Sequence, residues 1–138
     1  MCIRDRFKNK SAELAAFILE PLVQGAAGIW TQPLDFLPRV SELCKKYDIL
    51  LIVDEVATGF GKTGEMFAIN RREVVPDILV LAKGITAGYL PLSCSVCKEE
   101  LFEGFIGNLE EGKTFYYGHT YAGNPPVSYT HLTLPTKA

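Results

Sequence analysis

The chain has 138 residues, 48% of them hydrophobic and 22% charged, which suits a soluble globular fold with room for one core. A formal net charge of -2 supplies no basic footprint for nucleic acid and no polybasic patch for a membrane, and an apolar run such as residues 49–53 is far too short to span a bilayer. Four cysteines without a paired framework, and a start without a signal-peptide pattern, lead us to expect reduced thiols and a cytoplasmic location.

In chain order, Met1-Cys2-Ile3-Arg4-Asp5-Arg6 comes first and resembles a translated transposase end sequence of the kind used as a sequencing adapter. We therefore expect residues 1–6 to be foreign to the protein and leave them out of the fold reading. Ala15-Ala16-Phe17-Ile18-Leu19 is a short apolar run that ends at Glu20-Pro21, and it reads as a buried strand stopped by the proline. The stretch 25–28 is a loop. Pro33 suits the first turn of a helix whose apolar positions are Leu34, Leu37, Val40, Leu43 and Cys44. Lys45 and Lys46 fall in its last turn, where they complement the helix dipole.

Ile49-Leu50-Leu51-Ile52-Val53 is apolar on both faces, as expected of a central parallel strand. A glycine-rich turn follows over 58–64. Pro76-Asp77 then leads into a second apolar strand at 78–82, residues 92–96 read as a third, and 98–105 as a short helix. Strand, helix, strand and further buried strands make an α/β layer architecture, in which ligands bind beyond the carboxyl ends of the strands. At the far end, residues 127–136 resemble the complementary adapter strand read outward. The expected organisation is thus an adapter-like 1–6, a native 7–126 that is an internal piece of a longer protein, and an adapter-like 127–138. Without those ends His119 is the one histidine left, which removes any histidine-pair metal site.

Two apolar strands each deliver a charged side chain at the C-terminal end: Val53 runs into Asp54, and Ala82 runs into Lys83. An acid and a lysine at one sheet edge are what pyridoxal-phosphate chemistry needs. The lysine forms an imine with the cofactor aldehyde and shuttles a proton, while the carboxylate keeps the pyridine nitrogen protonated so that the ring can absorb electrons. Taken alone, an aspartate there is more often a turn or cap residue, and a lysine is more often solvated.

Motifs in order supply the context. Asp54-Glu55-Val56-Ala57-Thr58-Gly59-Phe60-Gly61-Lys62-Thr63-Gly64 closely resembles the signature of class III pyridoxal-phosphate-dependent aminotransferases. So do Leu81-Ala82-Lys83-Gly84 after Pro76-Asp77-Ile78, Glu20-Pro21-Leu22-Val23-Gln24-Gly25 upstream, and Gly118-His119-Thr120-Tyr121-Ala122-Gly123-Asn124-Pro125 downstream. The resemblance implies a fragment of the large domain of a fold-type I transferase, with a mostly parallel sheet and flanking helices. It implies Lys83 as the Schiff-base lysine, Asp54 on the ring nitrogen, Val56 against one face of the ring, and pyridoxal 5'-phosphate as cofactor. Thr120 would bind the phosphate belonging to the neighbouring subunit of a homodimer. Gly118 and His119 would lie beside it at the subunit boundary, Gly118 and Lys83 near substrate and His119 near the cofactor. The partners implied are a small-molecule amino donor and a keto acceptor, with neither nucleic acid nor membrane.

Departures narrow the branch. Ala57 stands where ornithine- and 4-aminobutyrate-type members carry glutamine, and Ala26-Ala27 stand where they usually carry a glutamate. The pattern is most similar to the branch that aminates 8-amino-7-oxononanoate to 7,8-diaminononanoate in biotin synthesis, with adenosylmethionine or lysine as donor. A broader ω-amino-acid or amine:pyruvate transaminase is the alternative. The family's phosphate turn, its stacking aromatic and its substrate arginine have no counterpart here, so the chain alone is expected to be inactive.

Rival chemistries fit poorly. Residues 50–55 match an apolar strand with a magnesium-binding acid, and Gly61-Lys62-Thr63 ends like a phosphate loop, but Val56 stands where that loop requires glycine. The order of the two motifs is also reversed. Cys94-Ser95-Val96-Cys97 spells a zinc half-site without a second pair, and in a strand its two thiols face opposite sides.

Overall fold

The computed structural model describes residues 2–118 and 120. It begins with helix α1 (Ile3–Lys10), strand β1 (Ala16–Leu19), a small hairpin of β2 (Val23–Gln24) and β3 (Trp30–Thr31), and helix α2 (Phe36–Tyr47). Strand β4 (Leu50–Asp54), β5 (Ile78–Leu81) and β6 (Cys94–Cys97) follow, then helix α3 (Glu99–Glu103). The main sheet has the order β1-β4-β5-β6. Strands β1, β4 and β5 run parallel, with Leu19 opposite Val53 and Asp54 opposite Val80, whereas β6 is antiparallel to β5. This is the expected mixed α/β architecture with a mostly parallel sheet.

The core lies between α1, α2 and one face of the sheet. Strand residues alternate between the two faces, and Leu51 and Val53 are the fully buried members of β4. They pack with Leu37, Val40 and Cys44 of α2 and with Phe7 of α1. Burying such side chains contributes about 1.5–3 kcal/mol each, which is what holds the helix layer on the sheet. The opposite face, carrying Ile18, Ile52 and Ile78, is covered less, and Ile18 is 62% exposed. Asp54 shares the parity of Ile52 and so belongs to that second face.

Helix α2 starts later than expected. Pro33 lies ahead of it, Asp35 occupies the N-cap, and Pro38 falls in the first turn, where a missing N–H costs nothing. Leu34 consequently stays outside the helix and exposed. Asp48 ends α2 in a left-handed conformation that turns the chain straight into β4, with the Ile49 N–H donating to the Cys44 carbonyl at 3.0 Å.

The third strand also differs from expectation. It starts at Cys94, and all four of its residues are exposed, because it is an antiparallel edge rather than a buried central strand. The turn expected at 25–28 connects β2 to β3, a pairing the short runs of sequence did not announce. Residues 3–6 are helical within α1, and Ile3 packs against the core. Their conformation bears on packing, and their origin is a separate matter. Residues 127–138 lie outside the described residues.

Asp77 joins three strands at their ends. Its Oδ2 accepts the Leu51 N–H at 2.7 Å, its Oδ1 accepts the Lys98 ammonium at 2.7 Å, and its own N–H donates to the Leu51 carbonyl. Burial pushes its carboxyl upward, but the Leu51 N–H and the Lys98 ammonium outweigh that and hold it below the ordinary carboxylate range.

Candidate active site

Parallel pairing of β4 with β5 brings the two strand ends together. Asp54 is the last residue of β4 and sits opposite Val80, while Lys83 lies three positions past Val80 in the same direction. The Glu55 N–H continues the ladder by donating to the Val80 carbonyl at 2.9 Å. The acid and the lysine therefore occupy neighbouring positions at the carboxyl edge of the sheet, where open α/β folds bind ligands.

Asp54 is half-buried. Its Oδ1 accepts the Val56 N–H at 2.9 Å, and among the described residues its Oδ2 has no partner. Val56, also half-buried, is thereby folded back beside the carboxylate. Lys83 is exposed and makes no hydrogen bond or ion pair among the described residues, with Asp54 or with any other group. A carboxylate with one uncommitted oxygen and an exposed lysine free of any protein partner among the described residues thus follow adjacent strand ends, both open to a ligand.

Lys83 opens a 3₁₀ turn (Lys83–Thr86) and has φ +46°, while Ala87 closes the turn at φ +53°. Left-handed backbone at a residue with a Cβ costs about 1–2 kcal/mol and persists only where surroundings dictate it. Here they do. The Ala87 N–H donates to the Gly84 carbonyl at 3.0 Å, the Tyr89 N–H to the Thr86 carbonyl, and the Thr86 hydroxyl to the Leu90 carbonyl at 2.7 Å. Gly84 is needed for space: a Cβ there would lie 2.8 Å from the Phe60 Cβ.

The remaining residues singled out from sequence are not drawn into this edge. Gly118 and Thr120 are exposed, and no hydrogen bond links either to Asp54, Val56 or Lys83. His119 lies outside the described residues. Ala57 is half-buried just beyond Val56, whereas Ala26 and Ala27 are exposed on the β2–β3 turn. That turn is tied down by Glu20, whose Oε2 accepts the Gly25 N–H at 2.9 Å.

Sequence reading passed over Glu55. It is fully buried at 0% exposure, and three donors converge on its carboxylate. The signal available was an acid directly after an apolar strand, with a hydroxyl three residues on at Thr58. The cysteines behave as small fillers or surface thiols. Cys44 is buried, its thiol pushed up to about 11 by burial and then by the nearby Asp77 charge; Cys94 and Cys97 are exposed and free. Among the described residues no group of acids, cysteines and histidines could hold a metal ion, and no helix is long and apolar enough to cross a membrane.

The sequence profile of the family described as Aminotransferase class-III matches residues 2–131. Adenosylmethionine-8-amino-7-oxononanoate aminotransferase of Geobacter sulfurreducens is 51% identical over 118 residues, covering 86% of this chain and 26% of its own length. Its namesake in Staphylococcus aureus is 52% identical over 119 residues, with the same coverage of each chain. The crystal structure of the Methanocaldococcus jannaschii enzyme of that name superposes with a TM-score of 0.84 at 39% identity, over 94% of this chain and 30% of that one. The chain thus spans about a quarter of the length of the relatives it matches. With the profile running along almost the whole sequence and the fold in agreement, the chain belongs to the class-III aminotransferases.

Proposed function

We propose that the protein carrying this chain is a pyridoxal-phosphate-dependent aminotransferase that aminates 8-amino-7-oxononanoate to 7,8-diaminononanoate, a step of biotin synthesis. The observation that carries the chemistry is the pair Asp54 and Lys83 at the ends of adjacent parallel strands, neither tied up by an ion pair among the described residues. Support for the substrate comes from relatives of that name at about half identity, and from alanine at positions 26, 27 and 57.

When bound, the cofactor supplies an aldehyde that captures amines and a ring that accepts electrons from the substrate's α-carbon. Everything else falls to the protein. Asp54 Oδ2 would accept the ring N–H and keep that nitrogen protonated, and the Val56 N–H on Oδ1 fixes the plane of the carboxylate for the task. The Val56 side chain would rest against the ring. Lys83 would hold the cofactor through its aldehyde, and the same side chain would carry the proton to and from the substrate's α-carbon. An unpaired lysine serves this better than a salt-bridged one, because no carboxylate competes for the amine. Thr120 would hold the phosphate of the neighbouring subunit in a homodimer, with Gly118 and His119 beside it.

The test is an assay of the full-length protein with 8-amino-7-oxononanoate and either adenosylmethionine or lysine as donor, against an ω-amine with pyruvate. Turnover with the first acceptor is expected. Turnover confined to the ω-amine and pyruvate would replace this substrate by the broader transaminase reading.

A further inference from the structure

Glu55 gathers a loop that the proposed mechanism does not itself use. Its Oε2 accepts the Thr58 hydroxyl at 3.0 Å and the Ala68 N–H at 2.8 Å, and its Oε1 accepts the Ile69 N–H at 2.9 Å. Both ends of the segment 56–69 are thereby tied to one side chain, which is wholly buried and out of reach of any substrate. Inside that segment the Phe60 and Gly61 N–H groups both donate to the Met66 carbonyl, and the Gly59 N–H returns to the Glu55 carbonyl at 3.0 Å.

The closed loop has one outward consequence. Phe60, in a left-handed conformation at φ +61°, is braced edge-on by Phe67 with ring centroids 5.5 Å apart. From there it abuts Gly84, where an added Cβ would come within 2.8 Å of the Phe60 Cβ and 2.9 Å of its ring. Gly84 is the residue after Lys83. A continuous path therefore runs from the Glu55 carboxylate to the Ala68 N–H, along the backbone to the adjacent Phe67, and through Phe60 to the lysine turn. The Glu55 backbone meanwhile extends the β4–β5 ladder at Val80.

We infer that Glu55 is a positioning residue: by closing the 56–69 loop it presses Phe60 onto Gly84 and so fixes the Lys83 turn relative to Asp54. The inference rests on the proposed roles of Lys83 and Asp54. It differs from a purely structural role, which would stabilise the loop and leave the lysine's behaviour alone.

Glu55→Gln is the direct probe in the full-length protein. The Ala68 and Ile69 N–H groups sit on different oxygens, so an amide can accept from only one of them. Two readouts are taken: backbone amide exchange in the cofactor-free protein, and the pH midpoint of the near-visible absorption of the bound cofactor. The expected result is exchange accelerated about tenfold in both 56–69 and 83–87, with the absorption midpoint moved by about one pH unit. Phe60→Leu, which leaves the three hydrogen bonds of Glu55 intact, should move the absorption midpoint in the same direction and loosen 83–87. It decides the matter should Glu55→Gln fail to fold. An absorption band that depends on Lys83 but that neither substitution moves, with exchange raised only in 56–69, overturns the inference alone. A wild-type protein with no Lys83-dependent band overturns the cofactor reading and this inference with it.

Discussion

Asp54 and Lys83 differ in how the chain equips them. Asp54 has one oxygen committed to the Val56 N–H and one open, so its orientation is set before any ligand arrives. Preorganisation of this kind lowers the cost of binding because the protein has little left to order. Replacing Asp54 by Ala in the full-length protein should leave a ring nitrogen without its half-buried counter-charge. The expected cost is about 3–5 kcal/mol, or on the order of 10²–10⁴ in turnover, with some cofactor retained. Steady-state kinetics beside a cofactor titration check this, and near-normal turnover would count against the pyridinium role. Lys83→Ala should abolish the near-visible band of the bound cofactor altogether; a spectrum that keeps it would remove Lys83 from the chemistry. Cys44 makes the opposite forecast. With its thiol pushed to about 11 by burial and the Asp77 charge, it should resist alkylation near neutral pH until the protein unfolds. Mass spectrometry of the native and denatured protein after brief alkylation distinguishes the two.

At the level of elements, the β4–β5 pair depends on Asp77. Its carboxyl is held below the ordinary value near about 3.9, so its stabilising contribution is complete above that pH and fades as pH falls through the lower, folded-state value. Lys98, raised chiefly by its hydrogen bond to Asp77, has the reverse sign and contributes until pH climbs through its elevated value. Lys98 is 42% exposed, so solvent screens its share. Asp77→Asn should lower stability at neutral pH by about 1–3 kcal/mol and flatten the acid limb of the stability curve. Denaturant titrations of the full-length protein at several pH values would reveal an unchanged limb if Asp77 were incidental. Gly84→Ala tests the neighbouring element. The added methyl meets Phe60 at 2.8 Å, and forced overpacking of that kind costs about 1–3 kcal/mol. A thermal melt indistinguishable from wild type would mean that Phe60 yields freely.

For the molecule as a whole, one face of the sheet is packed and the other is covered less. Ile18, Trp30, Val96, Phe102, Phe105 and Phe115 are each about half exposed or more, and among the described residues β1 and β6 are the edges of the main sheet. Apolar surface and open edges on this scale drive association. The isolated chain should therefore sediment as oligomers or aggregates and show no turnover; a monodisperse monomer with a sharp melt would contradict this. Much of the arrangement was legible in the sequence. The apolar runs before Asp54 and Lys83 marked two strands, helix period marked α2, and the glycine-rich motifs marked the family. These are local patterns, set by the alternation and spacing of side chains along the chain. What the sequence could not settle was which strands become neighbours, which way β6 runs, and which face each residue meets. Cys94–Cys97 reads like the other strands yet forms an exposed antiparallel edge, because direction and position depend on residues far away. Glu55 likewise stood in the sequence only as one position of a longer motif. Only the folded chain brings Thr58, Ala68 and Ile69 to its carboxylate and Phe60 to Gly84, since such contacts follow from loop closure in three dimensions rather than from any periodicity.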